Sequence, residues 1–296
     1  MTWRRALNAH SLPDGRLSLE DGPIHLLIGV EGTPAGVRAG QAAAGQRLLG
    51  LLPALHKEWA MLHQTLREPM PAFRHPVAQR MAEACWPHRL DDVTPMAAMA
   101  GAVAEYVLEA VSMQPGVQAA HVNSGGDIAI HLTGRASLRV GLCGDLAASG
   151  RPDGLVLLRA GDGVGGVVTA GWQGRRFSRG IADAVTVLAA RAADAEAAAA
   201  IIANAVDAEH PGILRRPANS LDPDSDLGAL PVTVAVRPLP KVLVLLALER
   251  GARVAERLAG RGQIRAAWLR LQGESSTVGD INVTSLPLAS GDASLQ

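Results

Sequence analysis

The sequence is poor in aromatic residues, lysine and cysteine, and each shortage excludes a class of function. Aromatic side chains make up 3% of the 296 residues, too few for a row of rings that stacks on single-stranded bases. Basic and acidic residues number 28 each, so no net charge attracts nucleic acid. Lys57 and Lys241 are the only lysines. We predict that the two cysteines, Cys85 and Cys143, are free thiols, because a chain of this size needs no disulfide.

Long hydrophobic runs are also missing. No stretch of eighteen apolar residues occurs, and the basic N-terminus lacks the apolar run of a signal peptide. We therefore expect a cytoplasmic protein with no membrane partner. Hydrophobic residues at 48% and charged residues at 19% are typical of a globular protein. We expect one domain over residues 1–272 and a flexible polar tail over 273–296.

In the first 115 residues, local patterns predict strands followed by helices. Short apolar runs between turn signals predict two or three antiparallel strands within residues 1–31. Leucines three or four apart predict a helical pair over 34–66, broken near Pro53. Thr94 and Pro95 predict the start of a helix of small residues over 96–113, which would serve either the core or a homodimer interface.

The rest of the chain predicts a sheet with helices. Five short apolar runs between glycine-rich turns indicate one meandering sheet: 118–123, 127–132, 137–142, 155–158 and 166–170. The later patterns predict a helix over 180–206, a loop over 210–230, a strand over 231–239, a helix over 241–260 and a strand over 263–271. The predicted fold class is α+β, with mostly antiparallel sheets packed with helices.

A glycine pair between two predicted strands is the first candidate site. Asn123, Ser124, Gly125, Gly126 and Asp127 would form a turn in which successive backbone amides can bind a phosphate. A tight hairpin explains the same residues equally well.

The second candidate is the start of the predicted helix at residue 180. Asp183 and Thr186 are three residues apart, so on a helix they would share a face and could bind one hard cation such as Mg²⁺. A carboxylate that stabilises the helix N-terminus is the simpler reading of Asp183.

The third candidate is a segment with three arginines, Arg175, Arg176 and Arg179, which follows Thr169 and Gly171. Arginine binds phosphate in a bidentate manner, so the segment suggests a pyrophosphate site, although a solvated basic loop would look the same. His75, Cys85 and His88 lack the second closely spaced pair of a structural zinc site. No nucleophile elbow and no Walker phosphate loop occurs.

Three segments taken together, 94–105, 122–127 and 165–186, resemble the FAD:protein FMN transferases, once called thiamine-biosynthesis lipoproteins, and in particular an ApbE-like bacterial and archaeal branch of them. The resemblance implies an FMN-transferase-like (T-fold-like) architecture. It also implies Mg²⁺-dependent cleavage of the FAD pyrophosphate and transfer of FMN to a threonine of a partner protein. FAD is then the expected small nucleotide ligand, Mg²⁺ the expected ion, and the protein acceptor unknown.

The resemblance assigns roles to residues of this chain. Asn123–Asp127, Thr169, Gly171 and Arg176 would bind the flavin nucleotide, and Asp183 with Arg175 would be catalytic. Ala182, Asp183 and Thr186 would hold the magnesium ion.

The chain departs from the family at two of these places. The transferases space the aspartate and threonine four apart, and this chain spaces them three apart. Gly174, Arg175 and Arg176 stand where the branch has Gly-His-Ser, so a basic pair replaces an imidazole. Two alternatives to an enzyme therefore stay open: a protein that binds a flavin or pterin without turnover, and a scaffold with a vestigial site.

Overall fold

The computed structural model describes residues 7–144, 152–280 and 283–285. The strands are β1 (Asn8–Ser11), β2 (Leu17–Asp21), β3 (Ile24–Gly32), β4 (Val117–Ser124), β5 (Asp127–Leu132), β6 (Ser137–Leu142), β7 (Gly154–Arg159), β8 (Gly166–Ala170), β9 (Ala184–Ala189), β10 (Ile213–Pro217), β11 (Pro231–Val236), β12 (Ala266–Leu271), β13 (Glu274–Gly279) and β14 (Val283–Ser285). The helices are α1 (Pro34–Leu48), α2 (Leu51–His56), α3 (Trp59–Leu62), α4 (Pro76–Cys85), α5 (Met99–Ser112), α6 (Ala192–Ala205) and α7 (Lys241–Gly260). Short 3-10 helices cover Trp86–His88, Pro95–Ala98 and Ala218–Ser220.

Within the described residues, the largest sheet contains nine strands in the order β1-β2-β3-β4-β5-β8-β9-β12-β13. Every neighbouring pair in it is antiparallel. A second sheet has the order β14-β7-β6, and β10 pairs with β11. The predicted fold class, α+β with mostly antiparallel sheets, is confirmed. The prediction of one meandering sheet is wrong, because β6 and β7 leave the main sheet and pair with each other.

The main sheet is covered differently on its two faces. On one face, α1, α2, α4 and α5 pack on β2–β5, and α6 and α7 pack on β8, β9 and β12. On the other face, β6 and β7 bury Leu188 and Trp268 with Val140 and Leu158. Strand alternation sends Val185 and Val187 to the helical face and Leu188 to the opposite face.

The N-terminal third follows the predicted pattern with one change. Three antiparallel strands precede the helices, as expected. The helical stretch over 34–66 is divided into three helices, and its main break lies at Gly50, which adopts the left-handed conformation with φ +77°. Pro53 lies in the first turn of α2, where proline is tolerated. Thr94 caps the next helical segment, because its hydroxyl accepts from the Met96 amide at 3.2 Å.

The predicted helix over 180–206 is wrong in its first half. Ala184–Ala189 form a fully buried strand, and the helix begins only at Ala192. The β-branched Val185, Thr186 and Val187 favour a strand, but they stand beside an alanine-rich segment whose composition favours a helix. The predicted loop over 210–230 likewise contains a strand, Ile213–Pro217, which pairs with β11.

The flexible tail predicted from residue 273 does not begin there. Glu274–Gly279 pair with Ala266–Leu271 along their whole length after a turn at Gln272 and Gly273, whose φ angles are both positive. The strand lies at the edge of the main sheet and is mostly polar, so it has no apolar run that would have predicted it. Val283–Ser285 pair with β7. The rest of the predicted tail, 281–282 and 286–296, lies outside the described residues.

Helices α5 and α6 cap each other's N-termini. The Glu196 carboxylate of α6 accepts from the amides of Gly101 at 2.7 Å and Ala100 at 3.4 Å, in the first turn of α5. In return, Glu105 of α5 accepts from the Ala193 amide of α6 at 2.8 Å. Neither helix has a side-chain cap of its own at the preceding residue. The two helices approach closely, because a β-carbon on Gly101 would lie 2.5 Å from the carbonyl oxygen of Ala192.

Two further expectations concern the thiols and the membrane. Cys85 and Cys143 are free, as predicted, and Cys85 is buried. Across the described residues, no helix combines the length and the hydrophobicity that a bilayer crossing requires.

Candidate functional site

The glycine pair forms the tight turn between β4 and β5. Ser124 pairs with Asp127, and Gly125 and Gly126 have φ angles of +68° and +109°. The Asn123 side-chain oxygen accepts from the Gly126 amide at 2.8 Å. That amide therefore already has a partner, and the hairpin reading of the glycines is correct. A β-carbon on Gly126 would meet no atom within 4 Å, so a ligand could approach this backbone closely.

The arginine segment, residues 174–179, lies against this turn. A β-carbon on Gly125 would collide with the guanidinium of Arg175, so only glycine lets that guanidinium lie across the turn. Arg175 is exposed, and no described residue accepts a hydrogen bond from its side chain. Two segments that are 50 residues apart in sequence thus meet at one place.

Arg176, in contrast, is held by two partners. One guanidinium nitrogen forms an ion pair with Glu196 Oε1 at 2.6 Å, and another donates to the carbonyl oxygen of Met96 at 2.5 Å. Glu196 is buried, whereas the Arg176 side chain is 45% exposed. The same carboxylate that caps α5 therefore also fixes the position of Arg176.

These segments line a cavity of about 670 Å³, which we call the main cavity. Its volume falls within the usual range for small-molecule sites. The structure brings together here every residue that was predicted to bind the nucleotide, together with Arg175: Asn123, Ser124, Gly125, Gly126, Asp127, Thr169, Gly171 and Arg176. Sequence reasoning missed several further polar residues that line it, among them Glu196, Asn204 and Asp226.

The loop before β11 also contributes to the wall of the main cavity. Asp226 accepts a hydrogen bond from the Thr94 hydroxyl, which ties this loop to the start of α5. At the far end, the Asn204 side chain accepts from the Arg179 amide at 2.9 Å and from the Ser178 hydroxyl at 3.3 Å. The arginine segment is therefore fixed at Arg176 by Glu196 and at Arg179 by Asn204.

Two acidic side chains of the main cavity have unusual proton affinities. Burial raises the pKa of Asp127 well above its ordinary value; the nearby Glu196 carboxylate raises it further, and Arg176 and Arg175 oppose the shift. Burial also raises the pKa of Glu196, against the opposing effects of Arg176 and the amides of Gly101 and Ala100. Shifted acids in a cavity are frequent at functional sites.

The residues predicted to bind magnesium do not share a helix face. Thr186 lies inside strand β9 and Asp183 directly precedes it, so neither residue lies on a helix and the predicted shared helix face does not exist. Thr186 is fully buried, and its hydroxyl is hydrogen-bonded to the Thr169 hydroxyl at 2.8 Å. The Asp183 carboxylate accepts from Trp172 Nε1 and the Gln272 amide.

None of the residues assigned to the metal, Ala182, Asp183 and Thr186, lines the main cavity. Asp183, for which a catalytic role was also predicted, therefore does not line this cavity. Among the described residues, no group of three or more histidine, cysteine, aspartate or glutamate side chains is arranged to hold a metal. The hypothesis of a shared helix face is wrong because Thr186 lies in strand β9, and Ala182 and Asp183 lie in the segment before it.

Replacing Thr186 with valine tests this correction. The variant loses one hydroxyl-to-hydroxyl contact at constant shape, so we expect a loss of about 1 kcal/mol of unfolding free energy. Because Thr186 lies behind Thr169, affinity for FAD should change less than about twofold, with or without Mg²⁺. Urea denaturation and equilibrium titration measure the two quantities. Thr186→Ser keeps the hydroxyl, and FAD binding that survives in Thr186→Ser but is lost in Thr186→Val would show that the hydroxyl serves the ligand.

A second cavity of about 530 Å³ adjoins the first and shares Arg179 and Asn204 with it. Arg215 and Arg257 line it together with Asp207. Arg215 is already engaged, because it pairs with Asp207 and donates to the Arg179 carbonyl oxygen.

A family model described as AbpE bacteria matches residues 9–277 of the chain. The chain belongs to this family. The resemblance that the three sequence segments indicated is therefore confirmed at the level of the family. The match extends past residue 272 and includes most of β13.

Three curated relatives are all called UPF0280 proteins. The one from Methanopyrus kandleri is 41% identical over 138 residues, which are 46% of this chain and 51% of the relative. The one from Methanothrix thermoacetophila is 36% identical over 157 residues, 52% of this chain and 62% of the relative. The one from Methanothermobacter thermautotrophicus is 34% identical over 145 residues, 48% of this chain and 54% of the relative. The chain thus spans about half to three fifths of the length of these relatives.

Two solved structures are similar along most of their length. The flavinyl transferase ApbE of Pseudomonas stutzeri, in its apo form, has a TM-score of 0.44 and 13% identity over 95% of this chain and 94% of that one. A variant of the flavin transferase ApbE from Vibrio cholerae has a TM-score of 0.45 and 12% identity over 93% and 97%. The similarity is weak, and no functional conclusion follows from it.

Proposed function

We propose that this chain binds FAD, or a related nucleotide with a pyrophosphate, in the main cavity and acts as a transferase-like enzyme that cleaves the pyrophosphate. One observation carries the proposal: the 123–127 turn and the arginine segment, which are distant in sequence, line the same cavity. The turn and the arginine segment also lie within the sequence segments that resemble the FMN transferases. The choice of a flavin nucleotide as the ligand rests on that resemblance.

The arginines are the groups best suited to the phosphates. The Gly126 amide is occupied by Asn123, so the turn offers a close approach rather than a donor. Arg175 offers an exposed guanidinium fork, and Arg176 is 45% exposed beyond its pair with Glu196. Guanidinium groups bind phosphate oxygens in pairs and neutralise charge that develops as a phosphoryl group is transferred.

The proposed reaction needs few protein groups. An acceptor hydroxyl attacks the phosphorus that carries the riboflavin, the bridging phosphorus–oxygen bond breaks, and AMP leaves with the bridging oxygen while the hydroxyl proton passes to a base. Positioning and charge neutralisation supply most of the catalysis in such transfers. The resemblance also implies Mg²⁺, but Asp183 and Thr186 do not fit that ion, so no step is assigned to it.

The test uses the purified full chain incubated with FAD, in parallel with Mg²⁺ and with a chelator. With no protein acceptor in the incubation, water takes the place of the acceptor hydroxyl, so we expect bound FAD and the release of FMN and AMP in equal amounts, measured by liquid chromatography. Mass spectrometry of any small molecule that copurifies identifies a natural ligand independently. If FAD neither binds nor yields FMN under either condition, the proposal is wrong.

A second candidate is a protein that binds a flavin or a pterin without turnover. The position of Asp183 and Thr186 outside the cavity favours it, because the wall then lacks the residues to which the resemblance assigns the metal. This candidate predicts a copurifying or titratable ligand together with FAD that stays intact for hours. Release of FMN would exclude it.

A further inference from the structure

Asp127 lies at the start of β5 with its side chain on the helical face of the main sheet. It shares this face with Ala129, which packs against α5 in the core. Asp127 lines the main cavity next to Gly126, where the backbone is open. No hydrogen-bond donor and no cation contacts its carboxyl group among the described residues. The side chain is half-buried, and a half-buried carboxylate with no donor is stabilised less when ionised than a carboxylate in open water.

The two nearby guanidinium groups do not contact the carboxyl group of Asp127. Arg176 is engaged by Glu196 and by the Met96 carbonyl, and Arg175 lies across Gly125 on the turn. The charged and titratable groups that line the main cavity come from several elements. Those that act on the charge of Asp127 are Glu196 of α6 and Arg175 and Arg176 of the arginine segment. The other titratable or charged side chains that line the cavity are Asp91, Asp92, Cys143, Arg179 and Asp226.

A count of charges follows from these contacts. Glu196 pairs directly with Arg176 and accepts from two amides, so of the two acids it is Glu196 whose ionised form has hydrogen-bond partners. Asp127 is close enough to feel that negative charge but has no donor of its own. Arg176 and Arg175 both favour ionised Asp127, but neither contacts its carboxyl group, and the acid without hydrogen bonds keeps its proton.

We infer that Asp127 is a neutral carboxylic acid in the free protein and donates its proton in a hydrogen bond to an acceptor atom of the bound ligand. This makes Asp127 a specificity-determining residue of the main cavity. It favours ligands that present a carbonyl oxygen, a ring nitrogen or a phosphate oxygen over ligands that have no acceptor at this place. The identity of the ligand rests on the proposed function, and the protonation of Asp127 does not.

The expected pH dependence has a definite sign. The pKa of Asp127 is raised, so the donor is present below that pKa and is lost above it. Affinity of the wild type for FAD should be constant at low pH and fall, by up to about tenfold per pH unit, once the pH exceeds the pKa. Asp127→Asn keeps a donor and cannot titrate, so its affinity should stay the same across this range. Asp127→Ala should bind weakly at every pH.

A comparison with riboflavin shows whether the acceptor atom belongs to the flavin ring or to a phosphate. If the acceptor belongs to the flavin ring, riboflavin and FAD should show the same fall in affinity with pH. If it is a phosphate oxygen, FAD alone should show it. An affinity of wild type for both ligands that does not change with pH, together with weak binding by Asp127→Asn, would overturn the inference.

A second readout needs no ligand. Because the folded-state pKa lies above the unfolded value of about 3.9, the wild type should lose unfolding free energy as the pH rises through the interval between them. Asp127→Asn should not show this loss, and the exposed control Asp224→Asn should follow the wild type. Urea denaturation from pH 4 to pH 8 measures it. If no flavin binds, the proposed function fails, and this arm alone decides the inference: parallel curves for wild type and Asp127→Asn would overturn it.

Discussion

Replacing Arg175 with alanine weakens FAD binding about 10- to 100-fold and leaves the unfolding free energy within about 0.5 kcal/mol of the wild type. The guanidinium lies across Gly125 at the cavity wall and contacts no acceptor in the part of the chain that the structure describes. Removing it therefore costs the protein little but deprives a phosphate of charge-assisted hydrogen bonds. Equilibrium titration and urea denaturation measure the two effects.

Two further variants sharpen this prediction. Arg135→Ala removes an exposed arginine that does not line the cavity, so its FAD affinity should equal that of the wild type. Arg175→Lys keeps the charge but loses the planar fork, and its affinity should lie between those of wild type and Arg175→Ala. Equal affinities of wild type and Arg175→Ala would remove Arg175 from the phosphate site.

Replacing Glu196 with alanine lowers the unfolding free energy by about 3 kcal/mol. The change leaves the amides of Gly101 and Ala100 without their acceptor at the N-terminus of α5, and it separates Arg176 from its partner. We take the lower part of the range known for broken buried pairs because Arg176 is 45% exposed and can be hydrated. Urea denaturation measures the loss.

The matched control is Glu249→Ala. Glu249 forms an exposed ion pair with Arg253 on α7, and breaking such a pair costs less than about 1 kcal/mol. Glu196→Gln keeps an acceptor for the amides but weakens the pair with Arg176, so its stability should be intermediate. If Glu196→Ala were as stable as Glu249→Ala, the interhelical cap would have no energetic role.

Much of the fold could be predicted from local sequence patterns. The predictions failed for strands whose formation depends on tertiary burial or pairing. Lys241–Gly260 has regular apolar spacing with a polar opposite face, and its predicted bounds are confirmed. Ala184–Ala189 is buried on both faces and therefore has no alternation that separates a strand from a helix. Glu274–Gly279 is an edge strand that faces solvent, so its stability comes from pairing with β12, which no local pattern reveals.

The residues of the candidate site likewise fall into two groups: those that residue type alone indicates and those whose role depends on tertiary contacts. Glycine at 125 and 126 and arginine at 175 and 176 stand out by residue type, and the structure brings them together at one cavity. Glu196 does not stand out, because a single glutamate in an alanine-rich helix resembles a solvated side chain. Its role depends on the contact between α5 and α6, which is tertiary. The error at Asp183 and Thr186 follows directly from the wrong helix, since Thr186 lies in strand β9 and Asp183 lies before it, so the two residues share no helix face.

The most direct measurement is the ratio of the affinities of the wild-type chain for FAD and for riboflavin, titrated side by side near neutral pH and moderate salt. If the arginine segment holds the pyrophosphate, FAD should bind at least about tenfold more tightly than riboflavin, because riboflavin has the ring system without the phosphates. Equal affinities for the two compounds, or tighter binding of riboflavin, would contradict a phosphate site between the 123–127 turn and the arginine segment.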